Sequence, residues 1–421
     1  MEKIAAVVLA ARVVTIRHKR GRFYMDYKLF HSIDEVCDQE KSIEIVKEEI
    51  YDLWQECFHD SDSYTDFYMQ WKVKGNQVLT MYKDGKLSSM LHLNPYNLMV
   101  YGTEIPANYI VGVATRKKDR RQGLMKSLLE AALHQMYLQH MPFTYLMPAA
   151  EAIYRPFGFQ TVYTQSPWNQ YYKQAGQRVH GTSLSEDINA NLTILSLEKD
   201  DDRRMEELSL YTNHLLSKRY DIYTHRTSYY YERLVHEMES TGGKVLLCYQ
   251  GQELVGYLAF MADGGIYIAE YLTEMEEESF LYALHGYISE NDSKVRAAQV
   301  SEEEQKLPRI MTRIVDLTAF VRLLSSETEQ KLIIEVRDSV LKDNNGVFEL
   351  AFNSSKAGGI LTRTTNEPEI SVDIADLTAL VFGTLSEEEI TSIICSNAKK
   401  VVRNKLNHII TLGNLFINDV V

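Results

Sequence analysis

The residues best suited to chemistry form a short cationic loop around one glycine, Arg-Arg-Gln-Gly at positions 120–123. A strand-like apolar run at 109–115 precedes the loop, and apolar residues at helical spacing follow it. The sequence therefore predicts a strand, a loop and a helix that starts near Gly123. At such a start, unpaired N–H groups, the helix dipole and nearby arginines favour a phosphate. Taken alone, the pattern is also typical of a solvated basic turn.

The chain as a whole is acidic. It has 421 residues, 45% of them hydrophobic, and a formal net charge of -13. The length predicts two to four domains of about 150 residues each. The charge argues against a nucleic-acid binder and favours cationic small partners. Four widely spaced cysteines indicate no disulfide framework or zinc site, so a reducing cytoplasm is expected. No apolar run reaches the roughly 18 to 20 residues that cross a bilayer, so no membrane partner is expected.

Two stretches of the chain, residues 78–87 and 245–254, share Val, Leu, Tyr and Leu at matching positions. Each predicts a β-hairpin, and the match indicates either two copies of one fold or a chance likeness between two common hairpins. Downstream of the second hairpin an acidic run at 274–278 replaces the cationic loop, so only the first copy could hold a polyanion. A third block begins near residue 311 and ends in an apolar tail, which we expect to be docked.

Residues 113–125 resemble the acetyl-coenzyme A loop of the GNAT N-acetyltransferases, where Arg/Gln-x-x-Gly-x-Gly/Ala follows a strand. Met125 stands in place of the last small residue. The Arg-Arg-x-Gly pattern followed by two apolar residues, and the segment 152–159, are similar to the enhanced intracellular survival (Eis) branch of that family. The resemblance implies an α/β (α+β) fold with tandem GNAT units, the second degenerate, and a C-terminal sterol carrier protein-like α+β domain. The implied divisions are an N-terminal extension, a catalytic GNAT domain, a degenerate GNAT-like domain and a sterol-carrier-like domain, at 1–32, 33–165, 166–309 and 310–421.

The same resemblance implies acetyl-coenzyme A as co-substrate, no metal, and a role for each of several residues. The pantetheine arm would lie along the strand at Val113 and Thr115. The diphosphate would be held by the loop residues Arg120, Arg121, Gly123, Leu124 and Met125. Tyr154, a phenol with a pKa ordinarily near 10, is the implied general acid. The terminal carboxylate of Val421 is the implied base, and burial in the apolar tail would raise its pKa from about 3.5.

The acceptor site is expected between Trp54 and Trp71, where carboxylates alternate with aromatic side chains. Such a surface suits a polyamine or an aminoglycoside through ion pairs and cation–π contacts. An amphipathic helix with its solvated loop has the same pattern. The resemblance singles out Asp60, and the aromatic pattern adds Trp71 as a second acceptor residue. The carboxylates of this segment are Glu56, Asp60, Asp62 and Asp66.

Three functions remain open at this point. The chain is an N-acetyltransferase acting on amines of aminoglycosides, polyamines or peptides, or a lipid or sterol carrier, or a non-catalytic interaction scaffold. The family resemblance favours the first, and it also implies a homo-oligomer, with hexamers as its precedent.

Overall fold

The computed structural model describes residues 16–20, 23–30, 43–177, 192–263, 265–291, 307–353 and 358–418. The implied base, the carboxylate of Val421, lies outside these residues. The described chain forms three units in sequence order, and elements of all three meet in the first sheet.

The first unit combines strands with helices in the order that the sequence predicts around the cationic loop. Helix α1 buries Val46, Ile50 and Leu53, which recur at helical spacing along one face. A π turn, Tyr68–Lys72, continues α2. The elements of the unit are β1 Ile16–Arg20, β2 Phe23–Phe30, α1 Ile43–Phe58, α2 Asp62–Phe67, β3 Gln77–Lys83, β4 Lys86–Val100, β5 Thr103–Thr115, α3 Leu124–Leu138, β6 Phe143–Leu146, α4 Glu151–Tyr154 and β7 Gln160–Thr164.

The second unit repeats this order on a smaller scale. Both predicted hairpins are confirmed, as β3–β4 and as the strands β10 and β11 of the second unit. Its four-stranded sheet has the order β12-β11-β10-β8. The elements are α5 Trp168–Gln177, β8 Leu192–Ser196, α6 Asp202–Arg219, β9 Ile222–Thr224, α7 Ser228–Ser240, β10 Lys244–Gln250, β11 Glu253–Met261, β12 Tyr267–Thr273 and α8 Glu277–Asn291.

The third unit is a four-stranded sheet with short helices. The sheet has the order β17-β16-β15-β18, in which β15 and β18 run parallel. Ser386 caps one of the helices in a capping box with Glu389. The elements are β13 Arg309–Ile314, α9 Leu317–Val321, β14 Ser325–Ser326, β15 Gln330–Arg337, β16 Gly346–Phe352, β17 Ile360–Arg363, β18 Ile370–Asp373, α10 Ile374–Val381, α11 Glu387–Ile393, α12 Lys399–Asn407, β19 Ile409–Ile410 and β20 Leu415–Phe416.

The first sheet takes strands from all three units. Its main path is β1-β2-β3-β4-β5-β6-β13-β7, while β9 pairs with the end of β4, and β20 pairs with β9. Strand β13 lies antiparallel between β6 and β7. The sheet therefore extends past the expected boundaries at residues 32 and 309, since it includes β1 and β2 on one side and β13 on the other. Pairing with a strand so far along the chain leaves no local sequence pattern.

Helices cover both faces of the first sheet. Neighbouring residues of a strand point to opposite faces. Val78 belongs to the apolar cluster of α1 and α2, whereas Leu79 belongs to the cluster of α3. The α1 and α2 face is thus separated from the α3 face, and the cationic loop joins β5 to the α3 side.

Candidate active site

The cationic loop joins the end of β5 to the start of α3, as predicted. Arg120 and Arg121 are exposed. Arg121 (φ 64°) and Gly123 (φ 84°) both adopt left-handed backbone conformations. Gly123 is the N-cap residue of α3, and because it has no side chain, the first N–H groups of the helix have no side-chain cap. An anion is the natural partner for those groups, since the helix dipole adds positive potential there.

Side chains from α1 and β3 hold this loop in place. Glu56 accepts hydrogen bonds from the backbone N of Lys117 (2.9 Å) and from Nη1 of Arg116 (2.8 Å). The hydrogen bond from Lys117 contributes most to a pKa of the Glu56 carboxyl below its usual range, and the bond from Arg116 lowers this pKa further. Lys83 Nζ lies 3.3 Å from the buried carboxylate of Asp119. The sequence pattern groups Glu56 with the acceptor residues, whereas the structure places it at the loop.

Strands β5 and β6 run parallel but separate early. They pair only at Tyr109 with Tyr145 and at Ile110 with Leu146, where β6 ends. β5 continues to Thr115, so in the described part of the chain no strand lies along its outer edge over 111–115. The half-buried Val113 and Thr115 both lie on this open segment. An unpaired strand edge can bind the amide groups of an extended ligand.

The open segment begins at a bulge in β5. The β4–β5 register shifts between Met90 and His92, opposite Gly112, which has a φ of 60°. A Cβ atom on Gly112 would lie 2.8 Å from the Trp54 ring and 3.0 Å from Cδ2 of His92. Glycine is therefore required for both backbone conformation and space. A glycine inside a strand pattern is itself a bulge signal that could have located this point.

Tyr154 ends the short helix α4, which follows β6. Because β5 and β6 run parallel, their carboxyl ends lie at the same end of the sheet. The cationic loop and α4 each follow one of these ends. The Tyr154 side chain is 6% exposed, and its ring centroid is 6.1 Å from that of Phe159. Burial raises the pKa of Tyr154 to about 12, so the hydroxyl stays protonated at neutral pH and is a weaker acid than expected from the sequence.

The two expected acceptor residues lie in different contacts. Asp60 accepts a hydrogen bond from Nε1 of Trp54 (2.8 Å), whose ring stacks on Tyr68 at 4.0 Å between centroids. Trp71 instead stacks on His236 of α7, at 3.9 Å between centroids. Asp60 therefore belongs to an aromatic cluster of the first unit, and Trp71 lies at the interface with the second unit.

The C-terminal tail is docked, as its apolar character predicts. Leu415, Phe416 and Ile417 are buried, and β20 pairs parallel with β9. Asn418 is the last described residue and is only 8% exposed.

Three further observations concern the described ranges. No group of three or more His, Cys, Asp or Glu side chains in them is placed to hold a metal ion. No helix in those ranges is long and apolar enough to cross a membrane. Cys57, Cys248 and Cys395 are free thiols.

Two parts of the chain match family models, one around the cationic loop and one in the third unit. Residues 44–162 match the family model of the acetyltransferase (GNAT) domain, and residues 314–393 match that of the sterol carrier protein domain. The chain therefore carries a GNAT acetyltransferase domain followed by a sterol carrier protein-like domain.

Solved structures share this fold over most of the chain. A conserved protein of unknown function from Enterococcus faecalis V583, described as a probable N-acyltransferase, is 16% identical with a TM-score of 0.69, and the match covers 94% of this chain and 100% of that one. A GCN5-related N-acetyltransferase from Anabaena variabilis is 17% identical with a TM-score of 0.67, covering 94% and 100%. Eis1 from Mycobacterium abscessus is 14% identical with a TM-score of 0.62, covering 94% and 100%. A comparison with curated proteins gave no match.

Proposed function

We propose that this chain transfers an acetyl group from acetyl-coenzyme A to an amine of a cationic acceptor. One observation carries the proposal: the segment 111–115 of β5, along which β6 no longer pairs, leads through Arg120 and Arg121 to the uncapped start of α3. The helix start suits a diphosphate, and the open strand edge suits the amides of a pantetheine arm. A single ligand with both groups fits the two features together.

Residues of the first unit would hold the donor. The edge of β5 at Val113 and Thr115 would pair with the pantetheine amides. Glycine at the helix start lets the diphosphate approach the backbone, and arginine offers paired N–H donors to its oxygens. Coenzyme A supplies the acetyl group as an activated thioester when it is bound. The proposed diphosphate residues are Arg120, Arg121, Gly123, Leu124 and Met125.

Two groups would move protons. The hydroxyl of Tyr154, which as a phenol is protonated at neutral pH, would donate a proton to the departing thiolate. The carboxylate of Val421 would accept the proton of the attacking amine. A low-dielectric surrounding would raise the pKa of that carboxylate and strengthen it as a base.

The acceptor side follows from charge. The net charge of -13 draws cations to the protein. Asp60, whose carboxylate accepts a hydrogen bond from Trp54, is our proposed partner for an acceptor ammonium. Trp71, which stacks on His236 at the interface with the second unit, is our second proposed acceptor residue. The loop and tyrosine motifs, together with a fold shared with Eis1, support an Eis-like transferase. A cytoplasmic location and a homo-oligomer are part of this proposal.

Thiol release from acetyl-coenzyme A tests the function directly. We expect release that depends on an added aminoglycoside, polyamine or peptide amine. Tyr154→Phe removes a proton-transfer group, and deletion of Val421 moves the terminal carboxylate back by one residue, so each should lower kcat about 100-fold or more. Absence of release with every amine, in a folded protein that binds coenzyme A, would refute the transferase. Unchanged turnover after deletion of Val421 would remove the base assignment.

The match to a sterol carrier protein domain favours a second candidate, a lipid carrier. Its first strand β13 is built into the first sheet, and Leu332, Ile334 and Phe348 of its own sheet are buried. These contacts support a structural role for the third unit. Uptake of a fluorescent fatty acid decides between the two: we expect none, and tight uptake without thiol release would favour the carrier.

A further inference from the structure

A cavity of about 540 Å³ opens where elements of all three units meet. It lies between the ends of β12 and α6, the start of α8 and residues 413–416. Small-molecule sites commonly measure roughly 300 to 1,000 Å³. Among the described residues that line the cavity, none belongs to the proposed donor or acceptor sites. Five aromatic side chains line it: Tyr163, Trp168, Tyr220, Tyr271 and Phe416.

Four of these five rings contact one another. The Trp168 ring centroid lies 5.7 Å from that of Tyr271 and 6.0 Å from that of Phe416. The Tyr220 ring centroid lies 5.0 Å from that of Phe416. Trp168, Tyr271 and Phe416 are buried, and Tyr220 and Tyr163 are half-buried. The cavity therefore has an aromatic surface that packing holds in place.

The faces of aromatic rings attract cations, because the ring quadrupole is negative there. In the parts of the chain that the structure describes, a protein cation lies over one of the five rings: Cζ of Arg226 is 5.9 Å from the centroid of Phe416. No lysine or arginine of those parts lies over the other four rings. A cation from solution can therefore bind against them without displacing one of the protein's own.

A carboxylate without a cationic partner lies at this cavity. Glu277 lines the cavity, is exposed, and forms no ion pair with any residue of the described ranges. One of its carboxylate oxygens accepts a hydrogen bond from the hydroxyl of Tyr271, which fixes the carboxylate beside the aromatic cluster. Glu274, Glu276 and Glu278 of the same run are also exposed, so the local charge is negative.

Arg219 is the single cation among the described lining residues. Its Nη2 donates a hydrogen bond to the backbone O of Thr273, at the end of β12 (2.7 Å). The guanidinium is thus held at the strand end, and the four glutamates at 274–278 outnumber it. The charge at this cavity favours a cationic ligand over an anionic one.

We propose that this cavity binds a small organic cation, an alkylammonium ion whose nitrogen lies among the aromatic rings and beside Glu277. The ends of β12 and α8 that form it correspond to those of β5 and α3 in the first unit, but an acidic run takes the place of the cationic loop. The inference goes beyond the proposed transferase, because binding here needs neither acetyl-coenzyme A nor any residue proposed to hold it.

Calorimetric titration of the full chain with choline tests the inference in the absence of acetyl-coenzyme A. Choline is a quaternary ammonium ion without an N–H to acetylate, so its binding does not depend on acetyl transfer. The neutral compound 3,3-dimethyl-1-butanol has the same shape without the charge. We expect choline to bind at least about 10-fold more tightly than the neutral compound.

Charge variants locate the binding site and decide the sign of the ligand. Glu277→Gln can still accept the hydrogen bond of Tyr271 and should weaken choline binding by about 10-fold. Glu274→Gln makes the same change in net charge outside the cavity lining and should leave the affinity unchanged. Arg219→Gln removes a like charge and should strengthen choline binding by about 3-fold.

A ring variant tests the aromatic surface separately. Tyr220→Leu keeps an apolar side chain but removes the half-buried ring, so choline should bind about 3- to 10-fold more weakly. Tyr220→Phe keeps the ring and should bind choline as the unaltered protein does. Equal losses in the two variants would show that the hydroxyl, and not the ring, holds the ligand.

Three results would overturn the inference. Choline and the neutral compound could bind equally or not at all. Glu277→Gln and Glu274→Gln could have the same effect, which would place choline elsewhere. Arg219→Gln could weaken binding as much as Glu277→Gln does, which would exclude a site selective for cations. Each result leaves the transferase proposal standing, because thiol release is measured separately.

Discussion

Helices α3 and α8 begin at equivalent places in the two units, but the start of α3 lies beside arginines and the start of α8 beside glutamates. α3 begins after Gly123, which offers no side-chain cap, beside two exposed arginines. α8 begins after Glu276, whose carboxylate accepts hydrogen bonds from the backbone N of Ser279 (2.8 Å) and of Glu278 (3.1 Å). Hydrogen bonds with Ser279 are the largest cause of a lowered pKa at Glu276. The start of α3 thus has no side-chain cap, whereas the start of α8 is capped by a carboxylate of its own unit.

The strands before these two helices also differ in their pairing. β5 opens from β6, whereas β12 is the edge strand of its sheet within the described residues. Both copies carry a bulge here, since the β11–β12 register shifts between Ala259 and Phe260. In the second copy the bulged strand presents the carbonyl of Ala269 to Asn418. The second unit thus contacts the C-terminal tail through its bulged strand.

The largest expected effect comes from giving α3 the charge of α8. Arg120→Glu combined with Arg121→Glu should raise the KM for acetyl-coenzyme A by about 100-fold or more, because charge-assisted hydrogen bonds are lost and repulsion replaces them. Steady-state kinetics check this. Lys331→Glu with Arg337→Glu changes the net charge equally on the exposed face of the third unit and should leave KM unchanged. Equal effects in both pairs would mean that only overall charge matters.

A smaller effect tests the bulge that opens β5. Gly112→Ala should lower the free energy of unfolding by about 2 to 5 kcal/mol, since it combines a left-handed backbone with a clash against the Trp54 ring. Urea denaturation measures the change. Gly102 also has a positive φ (78°), but nothing lies within 4 Å of an added Cβ, so Gly102→Ala should cost only about 1 kcal/mol. Similar losses at both positions would contradict the packing argument.

The smallest expected effect comes from removing the Glu276 carboxylate that caps the start of α8. Glu276→Ala should destabilise the protein by about 1 kcal/mol at neutral pH, because an N-cap is lost. The folded-state pKa of Glu276 lies below its unfolded value near 4.5, so the contribution is present above that pH and is lost as pH falls through the folded pKa. Denaturation from pH 7 to pH 3 should show the two curves converging in acid. Glu274→Ala, in the same acidic run, serves as control, and a constant difference across pH would contradict the assignment.

Local patterns predicted the parts of the site that are contiguous in the chain. The strand, loop and helix around Gly123 and both hairpins follow from periodicity and turn chemistry. The insertion of β13 between β6 and β7, and the docking of β20 on β9, depend on partners far along the chain. Neither the Glu56 anchor nor the Asn418 contacts have a local signature, because a hydrogen bond between distant residues does not change the periodicity of either segment. The roles of Tyr154, Asp60, Trp71 and Val421 remain predictions.

Calorimetric titration with coenzyme A and with pantetheine, which lacks the diphosphate and the adenosine, tests the central claim most directly. We predict that coenzyme A binds at least about 100-fold more tightly than pantetheine, and that Arg120→Glu with Arg121→Glu removes this difference. Equal affinities for the two ligands, or binding of coenzyme A that the two substitutions leave unchanged, would show that the start of α3 is not the diphosphate site.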